Sequence, residues 1–134
     1  MATVSVRYIV NDVDEAIAFY CTHLDFEEVM RPAPMFAMLR RGDLRLLLSS
    51  PGEPGGPGGG SQPMPDGTRP EPGGWNRISL EVDDLAPRVA ALRDAGAHFR
   101  NEIVEGRGGR QIIVEDPSGN PVELFQPTRP EARM

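Results

Sequence analysis

The side chains able to do chemistry in this chain are few, and they sit in short alternating segments. The stretch "EDPSGNPVELFQP", residues 115–127, places one carboxylate, Glu123, between apolar neighbours. If Val122 and Leu124 pack inward, Glu123 and Phe125 face the other way. In "WNRISLEV" the same alternation puts Ile78, Leu80 and Val82 on one face and leaves Arg77, Ser79 and Glu81 on the other. In "VSVRYIV" an apolar row of Val4, Val6, Tyr8 and Val10 is suited to packing under a helix, with Ser5, Arg7 and Ile9 on the opposite side. Glu123 is thus a candidate metal ligand, a candidate general base, or the partner of a guanidinium. Other candidates carry less weight. His23 lies near the end of one helical segment and His98 just after another, and Cys21 reads as a helix residue. No Ser-His-Asp or Cys-His spacing points to a nucleophile. The Gly-Gly turn in "EGRGGRQIIVEDP" precedes a strand, so no helix N-terminus is aimed at a phosphate there.

The elements that must position these residues occur twice. "NDVDEAIAFYCTHLDF" has a helical period, with Val13, Ile17, Tyr20 and Leu24 on one face, Asp12 as N-cap and Glu15 as its capping-box partner. "DDLAPRVAALRDAGAHF" repeats it with Leu85, Val89 and Leu92, tolerates Pro87 in the first turn, and ends at Gly96 as C-cap. Superposing "VNDV" on "VDDL" brings Ser5 onto Arg77 and Arg7 onto Ser79. Strands are expected at 25–31, 35–41 and 43–50 in the first half, and at 97–104, 109–115 and 120–126 in the second. Each final strand follows a Gly-Asp or Gly-Asn turn. The order βαβββ therefore occurs twice, an α+β architecture in a single domain of residues 1–134. Module one spans 3–50 and module two 75–127. Residues 51–74, rich in glycine and proline, form a connector or surface lid. Trp75 next to it either anchors its end or stacks on a planar ligand. Met35, Phe36 and Met38 offer an adaptable wall.

Composition narrows the partners. A chain of 134 residues carries one cysteine, which excludes an intrachain disulfide and a cysteine-built metal site and suits a reducing cytoplasm. The formal charge of -6 repels nucleic acid and anionic membranes, and would suit a cationic target. All fourteen basic residues are arginine, a pattern of GC-rich coding rather than of function. No basic n-region with an apolar core opens the sequence, and no apolar run is long enough to span a bilayer.

The tandem repeat, with "VNDVDEAIAFYCTHLDFE", "ISLEVDDLAPRVAALRDAGA" and "VEDPSGNPVELFQ", resembles the vicinal oxygen chelate superfamily, which includes glyoxalase I, bleomycin resistance proteins and extradiol dioxygenases. The resemblance covers residues 4 to 126. It implies a cupped mixed sheet with a ligand in the cup, and frequent homodimers. Metal-dependent members take one ligand from the first and one from the last strand of each module. Carried over, those positions are Ser5, Arg77, Leu46 or Leu47, and Glu123. Glu123 alone has the right chemistry, since a guanidinium has no lone pair to give. The expectation is that no metal or other cofactor is bound, a divalent ion being the alternative. Ser5, Arg7, Arg77, Ser79, Glu81, Glu123 and Phe125 then contact a small organic ligand, with Arg77 pairing Glu123 or receiving a ligand oxygen. A sequestering protein of the bleomycin resistance kind is the first expectation. A lyase, isomerase or dioxygenase, with an atypical metal site or Glu123 as base, is the second.

Overall fold

The structure, a computed structural model, describes residues 3–52 and 60–129. The chain divides into two compact units, Met1–Gly73 and Gly74–Met134. No helix among the described residues is long and apolar enough to cross a membrane.

In the first unit the order is β1 (Val4–Ile9), α1 (Val13–His23), β2 (Glu27–Ala33), β3 (Phe36–Arg41) and β4 (Leu44–Ser49). The sheet runs β1-β4-β3-β2, with β1 parallel to β4 and the other pairs antiparallel. Helix α1 starts where Asp12 accepts a hydrogen bond from the Glu15 amide at 3.1 Å, satisfying a donor the first turn would leave orphaned. It buries Val13, Ala16, Phe19 and Tyr20. The Tyr20 ring is fully buried and meets Tyr8, Phe19 and Phe26 edge-on, with centroids 5.3 to 6.5 Å apart. Strands β3 and β4 supply Ala37, Leu39, Leu46 and Leu48 beneath it. Of the expected apolar row on β1, Tyr8 and Val10 are buried while Val4 stays 62% exposed.

The second unit repeats the plan with one departure: β5 (Ile78–Glu81), α2 (Leu85–Asp94), β6 (His98–Phe99), β7 (Val104–Glu105), β8 (Gly109–Glu115) and β9 (Pro121–Pro127). Its sheet runs β5-β9-β8-β6, with β7 also on β8, and β5 is parallel to β9. The strand expected over 97–104 is broken in two. Phe99 pairs with Val114 and Val104 with Gln111, so five steps of one strand face three of the other. The reason is Asn101, whose carboxamide oxygen accepts the Ile113 amide at 2.9 Å and takes the place of a main-chain partner.

The caps of α2 differ from those of α1. Asp84 makes no side-chain cap bond; the Leu85 amide donates instead to Gln126 Oε1 on β9, at 2.7 Å. At the other end Gly96 has φ +85, its amide reaches Arg93 O, and the Ala97 amide reaches Leu92 O. Those two bonds close a Schellman turn, with Ala95 as the cap and Gly96 one residue beyond the expected position. A Cβ on Gly96 would meet nothing within 4 Å, so only backbone strain opposes a side chain there. Gly96→Ala should therefore cost about 1–2 kcal/mol, read as a lower urea midpoint at unchanged m value.

Part of the connector is well tied. The Gly52 amide donates to Ser61 O, the buried Ser61 donates through Oγ to Ser50 O at 2.7 Å, and a turn closes between Met64 and Thr68. Residues 53–59, at the centre of the expected lid, lie outside the described residues.

Candidate functional site

The strand registers decide which expected residues share a face. In the first unit one cross-strand row on the side away from α1 runs Arg7, Leu47, Met38, Met30, and the next runs Ile9, Ser49, Phe36, Ala33. Ser5 belongs to a third row with Arg45, Arg40 and Glu27, where Arg40 and Glu27 form an ion pair. Leu47 faces outward beside Arg7, whereas Leu46 is fully buried on the helix side. Of the two candidate last-strand positions, Leu47 is therefore the one equivalent to Glu123.

Ser49, Phe36 and Ala33 of the second row border an open cavity of about 260 Å³. Pro32, Ala33, Met35 and Phe36 give it apolar walls, and Arg7, Ser49 and Gly60 complete the lining. Arg7 is held from three sides. Its Nη1 donates to Ser49 Oγ at 2.9 Å, its Cζ lies 5.9 Å from the Phe36 ring centroid, and the Gly60 backbone presses against it. A Cβ on Gly60 would fall 1.8 Å from Arg7 Nη1, so a side chain there would displace the guanidinium.

In the second unit the face away from α2 carries the rows Ser79, Glu123, Ile113 and Glu81, Phe125, Gln111. Glu123 is engaged through both oxygens. Its Oε1 accepts from Arg77 Nε at 3.1 Å and lies 2.9 Å from Nη2, and its Oε2 accepts from Ser79 Oγ at 3.1 Å. Arg77 also donates through Nη1 to Trp75 O. The two side chains are 29% and 16% exposed, and the pair occupies the carboxylate. The Phe125 ring leans toward Gly109, whose missing Cβ would stand 3.0 Å from it and 2.1 Å from Gln126 O.

The donor set does not fit a divalent ion. A serine, an aliphatic side chain, a guanidinium and one ion-paired carboxylate stand at the four expected positions. Among the described residues no group of three or more His, Cys, Asp or Glu could hold a metal. His98 lies on β6, where its Nε2 is 3.9 Å from Glu115 Oε1, and His23 packs against Phe19 with the two rings tilted by 60°. Burial, with a smaller push from Glu28, raises the Cys21 thiol above its ordinary pKa, which reduces the reactive thiolate at any given pH.

Two residues of the most distinctive motif do structural work that the sequence pattern did not assign. In "EDPSGNP" the buried Asp116 accepts the amides of Ser118 and Asn120 on Oδ1 and the Asn120 side chain on Oδ2, at 2.9 to 3.0 Å. This turn, with Gly119 at φ +88, starts β9 and so sets the height of Glu123 in the sheet. Arg100 braces it from outside. It donates to Glu115, Gly119 O and Gly74 O and lies 4.6 Å beneath the Trp75 ring. Trp75 therefore anchors the end of the connector, although the residue is 69% exposed.

With this geometry in place, the comparisons with known proteins agree on one class. The sequence profile of the Glyoxalase/Bleomycin resistance protein/Dioxygenase superfamily matches residues 3–124, and the chain belongs to that superfamily. Among solved structures it is similar to a superfamily member from Sphaerobacter thermophilus DSM 20745, at 26% identity, a TM-score of 0.72 and coverage of 94% of this chain and 97% of that one. It is also similar to the antibiotic binding protein TnmS3 from Streptomyces sp. CB03234, at 22% identity, TM-score 0.69 and coverage of 96% and 97%. A lactoylglutathione lyase from Agrobacterium tumefaciens has 21% identity, TM-score 0.68 and coverage of 93% and 92%. At such identities the last two show the shared fold. No curated protein matches the chain.

Proposed function

We propose that the protein binds a small organic molecule, an antibiotic or a metabolite, on the helix-free faces of its sheets, holding it without a metal ion and releasing it unchanged. The observation that carries this reading is the state of Glu123. The one residue of metal-ligating type at the four family positions is committed to Arg77 and Ser79. The wall of Phe36, Met38, Leu47 and Met30 beside the cavity supports it further, because flexible thioethers and an aromatic ring accept varied apolar shapes. The description of TnmS3 as an antibiotic binding protein is in keeping with such a role.

The test is the metal content of protein purified without chelator, with thermal shifts on adding nickel, zinc, manganese or iron(II), for the parent and for Glu123→Ala. We expect far less than one metal per chain and no metal-dependent shift in either protein. Near-stoichiometric metal that disappears in Glu123→Ala would overturn the metal-free reading. A compound that binds but is recovered chemically altered would replace sequestration by catalysis.

A further inference from the structure

Arg7 differs from Arg77, Arg40 and Arg31 in having its position fixed by uncharged groups, and from Arg45, which donates to Gly42 O, in lining the cavity. Arg77 is neutralised by Glu123, Arg40 by Glu27 and Arg31 by Asp14. Among the described residues the partners of Arg7 are a hydroxyl and a ring, with the Gly60 backbone against it. A guanidinium carries five N–H donors in one plane and stays protonated at any ordinary pH. With Nη1 on Ser49, donors remain for a ligand, and because Arg7 is itself exposed an anion reaches it from solvent.

From this we infer that the first-unit cavity selects a ligand carrying a carboxylate on an aromatic or otherwise apolar body, with Arg7 reading the carboxylate and Phe36, Met35 and Pro32 covering the rings. The inference rests on the small-molecule reading above and adds the chemical class of the ligand. Three features bear on it. The volume of about 260 Å³ falls just below the roughly 300–1,000 Å³ of pockets for drug-sized ligands, so it suits one or two fused rings or one arm of a larger molecule. The planar fork of arginine matches the two oxygens of a carboxylate, and fixing it beforehand by Ser49, Phe36 and Gly60 lowers the ordering cost on binding. The net charge of -6 opposes anions at long range, but that field is screened beyond about 8 Å at physiological salt, while contact with Arg7 is not.

The experiment compares 2-naphthoate with 2-naphthamide, which share a ring system and differ in charge, by isothermal titration of the parent, Arg7→Met and Arg7→Lys. The expected result is that the parent binds naphthoate at least tenfold more tightly than naphthamide. In Arg7→Met that preference should fall to within twofold while naphthamide affinity holds, and Arg7→Lys should keep part of it. Thermal unfolding of both variants establishes that they are folded, and Arg7→Lys serves if Arg7→Met is not. Equal binding of the two probes by the parent overturns the assignment of ligand class and leaves small-molecule binding standing. A preference that survives in Arg7→Met overturns the role of Arg7. Failure of both probes to bind the parent overturns the cavity as a site for an aromatic body, and with it the inference.

Discussion

Truncating Tyr20 to alanine should destabilise the first unit by about 3–5 kcal/mol, the range for deleting a large buried aromatic side chain. Tyr20 is fully buried and stands between three other rings, Tyr8 on β1, Phe19 on α1 and Phe26 just before β2. Those neighbours are held by separate elements, so they do not close in together and the space left behind persists as a cavity. Domains of this size are stable by only about 5–15 kcal/mol, so the variant should sit near the edge of folding at 37 °C. Urea titration followed by far-UV circular dichroism measures the loss. A variant within about 1 kcal/mol of the parent would show that the aromatic cluster is not the keystone of this unit.

The second large effect is expected at Asp116, in the turn that precedes β9. Asp116→Ala removes a buried acceptor of three hydrogen bonds and leaves the amides of Ser118 and Asn120 with no side chain to receive them. Bonds to a charged acceptor contribute about 1.5–3 kcal/mol each and are not additive, so a loss of about 3 kcal/mol is expected. Asp116→Asn keeps one oxygen for the two amides but presents an NH2 group to the Asn120 carboxamide, and should lose about half as much. Hydrogen exchange of the Ser118 and Asn120 amides is the direct measurement. Both should exchange much faster in Asp116→Ala, and unchanged protection would mean that the turn is held by other contacts.

The repeat, the two helices and most strands could be read from the sequence because they rest on local physics: hydrophobic period, an Asp N-cap at residue 12, a glycine that ends α2. What could not be read comes from partners distant in sequence. Asn101 breaks a strand by bonding to Ile113, and Gln126 replaces Asp84 as the cap of α2 from across the sheet. Alternation alone left Leu46 and Leu47 undecided, and the pairing of Arg7 with Leu47 resolves them. At the candidate site, the Arg77 contact with Glu123 followed from strand faces. The placing of Gly60 against Arg7 had no signal in a segment where glycines are everywhere.

The strand order also bears on how the chain folds as it is made. In each sheet the module's first strand is bonded to its last, β1 to β4 and β5 to β9, across about forty residues of intervening chain. Closing that distance is entropically costly, so the antiparallel pairs β2–β3, β3–β4 and β8–β9 are expected to form first and the parallel pair last. Strand β9 is also flanked on both sides, by β5 and β8, which makes the final described strand the spine of its sheet. A nascent chain halted before Pro121 would hold α2 without its Gln126 cap and β5 without its neighbour, and would leave those strand edges and apolar faces exposed until β9 emerges.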